Sequence, residues 1–320
     1  MSVAATEQLR AFEEQYIPFP PFVAAKEAIE SNLNLFRESG LARHMLVLGE
    51  AGTGKSSLCR WLLAQHPVAH LPERDHISVL VVTIPPAATV GGNAESILRS
   101  LGDPDWGRGT ITNKTARIVT LIKGCGVELI LFDEAQHLQD RGDVRMHYMV
   151  ADWFKHLIDE ISIPTVMLGL PRLEQLLQTN EQLRRRFSRR IKLALGQSDT
   201  DSVETECLQL FLSLASLIHT PVTASPYAPQ EMGMRLYYAS DGRVAYIKKL
   251  LFAAMQLSME LDYETIDTEV LERAFREEIW VHAEGKLNPF HQDFEFRRLD
   301  RGGEPFQLSD TLGHGRTRRG

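Results

Sequence analysis

The chain has 320 residues, 43% hydrophobic and 24% charged, with a formal net charge of −7. Such values describe a globular chain with room for one large domain, or a core domain plus a smaller one. They exclude attraction of the whole molecule to nucleic acid, so any DNA contact must come from a local basic face.

No apolar run approaches the roughly 20 residues that span a bilayer. The start, "MSVAATEQLRAFEEQ", has neither a basic beginning nor an apolar core, so no signal peptide or membrane partner is expected and the location expected is cytoplasmic. Cys59, Cys125 and Cys207 are far apart without paired spacing, which suits a reducing compartment and small buried apolar roles. His66, His70 and His76 surround Pro67, which spoils the helical spacing two metal ligands would want, so a loop is expected there.

In chain order, residues 1–40 read as a polar helix, a turn at "YIPFPPF" and an amphipathic helix through "VAAKEAIESNLNLFRES". A first strand follows at about Met45–Leu48, and Gly52–Gly54 open the helix "KSSLCRWLLAQH". "ISVLVVTIPP" is a β-branched strand stopped by two prolines. "NAESILRSLG" and "NKTARIVTLIKGCG" read as helices with an Asn start and a Gly stop. "VELILF" is the next strand, "MHYMVADWFKHLIDE" the next helix and "PTVMLGLP" the fourth strand. The helical "RLEQLLQTNEQLRRRF" and a short strand, "RRIKLAL", close the set. Alternation of strand and helix from Met45 to Leu195 predicts an α/β core with an open, parallel five-stranded sheet covered on both faces.

After Gly196 only helix-period segments follow: "DSVETECLQLFLSLASLI", "PQEMGMRLYYAS", "GRVAYIKKLLFAAMQLSME" and "DTEVLERAFREEIW". The predicted organisation is an N-terminal helical segment (1–40), a core (41–197), a small all-helical domain (198–283) and a mobile tail (284–320). Phe290, Phe294, Phe296 and Phe306 punctuate that polar tail. They suit either a docking peptide for a partner or rings that pack back on the helical domain.

The run Gly49-Glu50-Ala51-Gly52-Thr53-Gly54-Lys55-Ser56-Ser57 fits G-x-x-x-x-G-K-[ST] and lies between a strand and a helix. Its glycines let backbone N–H groups wrap a phosphate chain, and the helix N-terminus adds a favourable dipole. Lys55 should reach the β- and γ-phosphates of ATP, and Ser56 should offer its hydroxyl to Mg²⁺. In "LILFDEAQHL" an apolar strand delivers Asp133 and Glu134 at its carboxyl end. Asp133 would hold Mg²⁺ through water, and Glu134 would orient or polarise the attacking water. Six of the nine residues from Arg184 to Lys192 are basic. That run suits a solvated face, an arginine beside Phe187 directed at a neighbouring subunit's γ-phosphate, or backbone contact with nucleic acid.

In this order, the phosphate loop, "LILFDE", a fourth strand, "QLRRRF" and a helical lid resemble an AAA+ ATPase over about Pro18 to Trp280. "FDEAQHL" and "GLPRLEQLLQTNEQLRRRF" resemble the TniB/TnsC group of transposition ATPases. The resemblance gives Lys55 and Ser56 the Walker A roles and Asp133 and Glu134 the Walker B roles. It places the arginine finger at Arg186, with Arg185 as fallback. "SDGRVAYIKKLL" resembles the start of a nucleotide-sensing lid helix, which nominates Arg243; a capped surface arginine is the alternative. In related filaments, basic and hydroxyl side chains after the second strand face DNA, which points to Arg108, Thr112, Lys114 and Arg117; an ordinary exposed helix start is the alternative. One departure stands out: Gly169 occupies the place where many AAA+ proteins put a polar sensor.

The function implied is an ATP-dependent regulator of DNA transposition. Its partners would be double-stranded DNA, transposase subunits and further copies of itself in a ring or helical filament. A target-selection protein or an RNA-guided complex could choose the site. Another nucleic-acid remodeller, a loader or a helicase-like motor is the alternative. "DEAQ" matches a helicase motif, but helicases of that kind need two RecA-like domains and only one fits here.

Overall fold

The computed structural model describes residues 3–14, 19–86, 89–138, 144–179, 181–196, 201–223 and 226–307. Five strands form the central sheet: β1 (His44–Leu48), β2 (Val79–Thr83), β3 (Leu129–Asp133), β4 (Thr165–Gly169) and β5 (Arg189–Lys192). Their order is β2-β3-β4-β1-β5 and every pairing is parallel, as the alternating pattern predicts. All five residues of β3 and of β4 are buried. That is the mark of a strand covered on both faces, and it explains why these strands read as unbroken apolar runs.

The helices are α1 (Val3–Glu14), α2 (Pro20–Ser39), α3 (Lys55–Gln65), α4 (Val90–Ser100), α5 (Ile111–Gly124), α6 (Val144–Ile161), α7 (Leu173–Thr179), α8 (Glu181–Arg186), α9 (Val203–Ala215), α10 (Pro229–Ser240), α11 (Val244–Leu261) and α12 (Thr268–Ala274). Leu46, Ile130, Phe132 and Met167 of the sheet join Ile97, Ile118, Phe154 and Leu157 in one apolar core. Phe154 meets Phe132 edge-on at 5.1 Å between ring centres.

Two helix starts differ from expectation. α4 is capped by Thr89, whose hydroxyl accepts from Gly92 N, and α5 by Thr110, whose hydroxyl accepts from Asn113 N. Threonine caps, four residues before Asn93 and three before Asn113, thus replace those expected asparagines, because a cap must accept from the N–H two or three positions on. The glycine stops hold: Gly102 and Gly126 follow the two helices at φ 77° and 66°.

The chain divides into two compact units, residues 20–193 and residues 1–19 with 194–320. The expected N-terminal segment therefore divides, α2 going with the sheet and α1 with the helical unit. In the helical unit α10 and α11 pack on α9, and α12 packs on α11. The expected mobile tail is corrected from Glu284 through Gln307. Phe290, Phe294, Leu299 and Phe306 are buried there. Arg235, 1% exposed, donates to the carbonyls of Pro289 at 2.7 Å and His291 at 2.8 Å. Tyr227 Oη donates to the carbonyl of Phe290 at 3.0 Å. The rings of Phe290, Phe294 and Phe306 fold back, because the segment supplies the apolar surface and carbonyl acceptors that Arg235 and its neighbours need, whereas Phe296 stays exposed. Residues 308–320 lie outside the described residues. Among the described residues no helix is long and apolar enough to cross a membrane.

Candidate nucleotide site

The loop from Gly49 to Gly54 leaves the carboxyl end of β1 and enters α3. Gly49 N donates to the Gly169 carbonyl at 3.0 Å, which ties the tips of β1 and β4 together. A Cβ at Gly49 would strike the Thr53 hydroxyl and lie 2.9 Å from the Leu193 carbonyl, so glycine is required there. Gly52 and Gly54 take φ 81° and 95°, conformations that side chains resist. Thr53 turns inward and donates its hydroxyl to Glu50 O at 2.9 Å, whereas Ala51 is exposed. The Ser57 hydroxyl accepts from Arg60 at 3.2 Å.

Lys55 is buried and donates to the carbonyls of Gly49 at 2.6 Å and Glu50 at 2.9 Å. Burial pulls its ammonium below the usual lysine range, opposed by Glu134, Asp133 and Glu50. Two loop carbonyls thus satisfy the buried ammonium. Ser56 Oγ donates to Asp133 Oδ2 at 3.0 Å. The loop, on β1, and the carboxylates, on β3, therefore meet in space although 77 residues separate Ser56 from Asp133. This pair of hard oxygen donors fits a magnesium ion, which ordinarily needs one or two protein oxygens beside phosphates and water.

Glu134 stands in the left-handed region at φ 57°, rare for a residue with a side chain. Its N–H donates to Asp133 Oδ1 at 2.9 Å, so one Asp133 oxygen fixes the turn and the other meets Ser56. The strained turn aims Glu134 out of the strand line, where active sites commonly carry such outliers. Gln136, to which the sequence assigns no role, donates Nε2 to Glu134 Oε2.

Arg186, the nominated finger, is at the opposite end of the sheet. Arg189 of β5 pairs with Met45 near the start of β1, whereas the phosphate loop begins after Leu48. Strand rise of about 3.3 Å per residue separates these levels by roughly 13 Å. Arg186 instead grips Asp159 of α6, with Nη2 2.8 Å from both carboxylate oxygens. Arg185 is 78% exposed and pairs with Glu181 at 2.6 Å. Arg243 lies in the helical unit, its side chain 13% exposed, with Nη2 3.2 Å from Asp241.

The four nominated DNA contacts are not one free surface. Lys114 is buried on Glu95 at 2.6 Å. Arg117 binds Asp103 and donates to the carbonyls of Arg108 and Asp105, each at 2.8 Å. Those two side chains brace the start of α5, a correction to the expectation that they face DNA: their charges are already matched inside the fold. Arg108, 84% exposed beside Asp105, and the exposed Thr112 still reach solvent.

A sequence model described as the bacterial TniB protein matches residues 10–194. No curated protein matches the chain. Among solved structures, the fold is similar to the ORC2 protein of Aeropyrum pernix in ADPNP–ADP complexes, with TM-score 0.62 and 16% identity over 84% of this chain and 71% of that one. Cdc6p of Pyrobaculum aerophilum gives TM-score 0.59 and 14% identity over 87% and 71%. Aeropyrum pernix ORC1 in complex with DNA gives 0.59 and 13% over 82% and 66%. At such identities these likenesses speak for the AAA+ fold alone.

Proposed function

The chain belongs to the TniB family, whose model matches more than half of it, and from that premise we propose that it is an ATP-dependent regulator of DNA transposition. In this reading ATP-bound copies assemble on duplex DNA and recruit or activate a transposase, and hydrolysis returns them to the free state.

One observation carries the assembly part. Lys55, Ser56, Asp133 and Glu134 gather at the carboxyl ends of the strands, while Arg186 is at the amino end. An arginine so placed serves the phosphate site of a second copy and not its own. Bound ATP thereby becomes a contact between subunits, and its hydrolysis becomes a change of assembly state.

Within each copy, backbone N–H groups of the 49–54 loop and the Lys55 ammonium bind the phosphates. Ser56 and Asp133 would hold Mg²⁺, which when bound neutralises charge on the β- and γ-phosphate oxygens. Glu134 orients the attacking water and accepts its proton. Arg186 of a neighbouring copy stabilises charge on the transferred group; such a finger is worth about 10³- to 10⁵-fold in rate.

Sedimentation and electron microscopy of the full chain with duplex DNA test this reading, using ATP or a slowly hydrolysed analogue against ADP. Rings or filaments that form on DNA with ATP, and are lost in Arg186→Ala, are the expected result. Equal DNA binding and equal particle size in every nucleotide state would sink it.

A further inference from the structure

The tip of β4 carries Gly169, with no side chain to offer the phosphate site, and the space beside it is filled. A Cβ built on Gly169 would lie 2.8 Å from Gln136 Oε1, 3.0 Å from Leu173 Cδ2 and 3.1 Å from Gln136 N. Gln136 is 3% exposed, so its amide must find partners inside the fold. It finds two. Oε1 accepts from Leu170 N at 3.1 Å, and Nε2 donates to Glu134 Oε2. The backbone donor at Leu170 also fixes which way the amide faces, since only its oxygen can accept that N–H.

We propose that Gln136 is the positioning residue for Glu134, supplying from the segment after β3 the polar group that β4 lacks at Gly169. The proposal rests on the hydrolytic reading of the site. Holding Oε2 on the amide leaves Oε1 as the oxygen that meets water. The amide is anchored to the backbone just past β4, so the carboxylate keeps a fixed distance from the strand tip to which Gly49 is tied. His137 Nε2 stands 3.8 Å from the same Oε2, beyond hydrogen-bond reach, so it does not duplicate the amide. Glycine at 169 is then the counterpart of glutamine at 136: any larger residue on β4 would push the amide off Glu134.

The test compares ATP hydrolysis by the full chain on duplex DNA with ATP affinity measured by calorimetry. Gln136→Ala should lower kcat by about 10- to 100-fold, with KM and ATP Kd within about threefold of wild type. Isosteric Gln136→Glu keeps the volume and the acceptor for Leu170 N–H but removes the donor. It should lose kcat at least as severely, and it covers the case in which the alanine variant does not fold. Gly169→Asn alone should also be slow. A kcat within twofold of wild type in Gln136→Glu overturns the proposal. A loss of kcat matched by an equal loss of ATP affinity assigns Gln136 to packing and also overturns it. Wild-type turnover abolished by Glu134→Gln, beside an unaffected Gln136→Glu, sinks this proposal alone. A wild type no faster than Glu134→Gln sinks the hydrolytic reading and this proposal with it.

Discussion

Arg186 closes on Asp159, its Nη2 2.8 Å from each carboxylate oxygen and its Nε 3.0 Å from Oδ1. The Arg186 side chain is 29% exposed and that of Asp159 46%, so water screens the pair and its worth is about 0–1 kcal/mol. A contact that weak holds the guanidinium in one pose yet yields readily to the charge of a phosphate. Arg186→Ala should therefore fold and bind ATP normally while losing assembly-dependent turnover by about 10²-fold or more. Mixing supplies the sharper test. Arg186→Ala retains a phosphate site and Lys55→Ala retains a finger, so the two inactive variants together should regain turnover on DNA. A mixture as inactive as its components would leave no place for an arginine acting between copies.

The Ser56–Asp133 contact yields a separate prediction. With Oδ1 committed to Glu134 N and Oδ2 to Ser56, Asp133→Asn removes the charge but preserves the size of the turn. Folding should survive, and the Mg²⁺ concentration at half-maximal turnover should rise at least about tenfold, the effect of losing one anionic oxygen beside a hard cation. Ser56→Ala should raise it less, since a neutral donor is lost. Magnesium titrations at saturating ATP decide this, and an unchanged midpoint in Asp133→Asn would remove Asp133 from the magnesium site.

What could be read in advance follows the range of the interactions. The phosphate loop was legible because its glycines, Lys55 and Ser56 are local requirements written within eight residues. The parallel sheet was legible because burial on both faces leaves strands such as Leu129–Asp133 with no polar alternation. Side-chain partners drawn from distant segments were not. Nothing in "GRGTITNKTAR" announces that Lys114 will meet Glu95 or Arg117 will meet Asp103; a charge run looks alike whether it is solvated or paired. The fold-back of residues 284–307 depends on Arg235, more than 50 residues upstream. Gln136 joins a partner two residues away, Glu134, to one 34 residues on, Leu170 N, and only the first is local.

The pairing of Arg117 turns a failed expectation into a prediction. Its guanidinium serves one carboxylate and two backbone carbonyls around the start of α5. Arg117→Ala leaves those acceptors unmatched, at a cost of about 1–3 kcal/mol. The melting temperature should drop by several degrees, while the salt dependence of DNA binding by the folded fraction stays unchanged. Arg108→Ala, at a solvent-facing position, should do the reverse. If Arg108 touches a phosphate, its loss lowers the salt slope by about one without a change in melting. A slope change in Arg117→Ala at unchanged stability would restore it to the DNA face.

His44, at the start of β1, has Nδ1 buried without a hydrogen-bond partner, and its ring lies 5.5 Å from that of Phe187. Burial lowers its pKa to about 4, the nearby Arg186 charge adds to the effect and Asp159 opposes it. The native state thus keeps His44 neutral, whereas the unfolded chain protonates it near its ordinary pKa of about 6.5. Between those two values the unfolded state binds more protons, so stability rises with pH. The His44 contribution is fully present above about pH 6.5 and is lost as pH falls towards 4, a change of roughly 3 kcal/mol. The difference between wild type and a variant lacking the imidazole isolates this contribution. His44→Phe keeps an aromatic ring against Phe187 but has no proton to refuse. Thermal melts from pH 7.5 to 4.5 should show wild type losing stability more steeply than His44→Phe, with the separation opening below about pH 6.5. Parallel curves would mean that His44 is protonated in the native state and that the ring is better solvated than its burial implies.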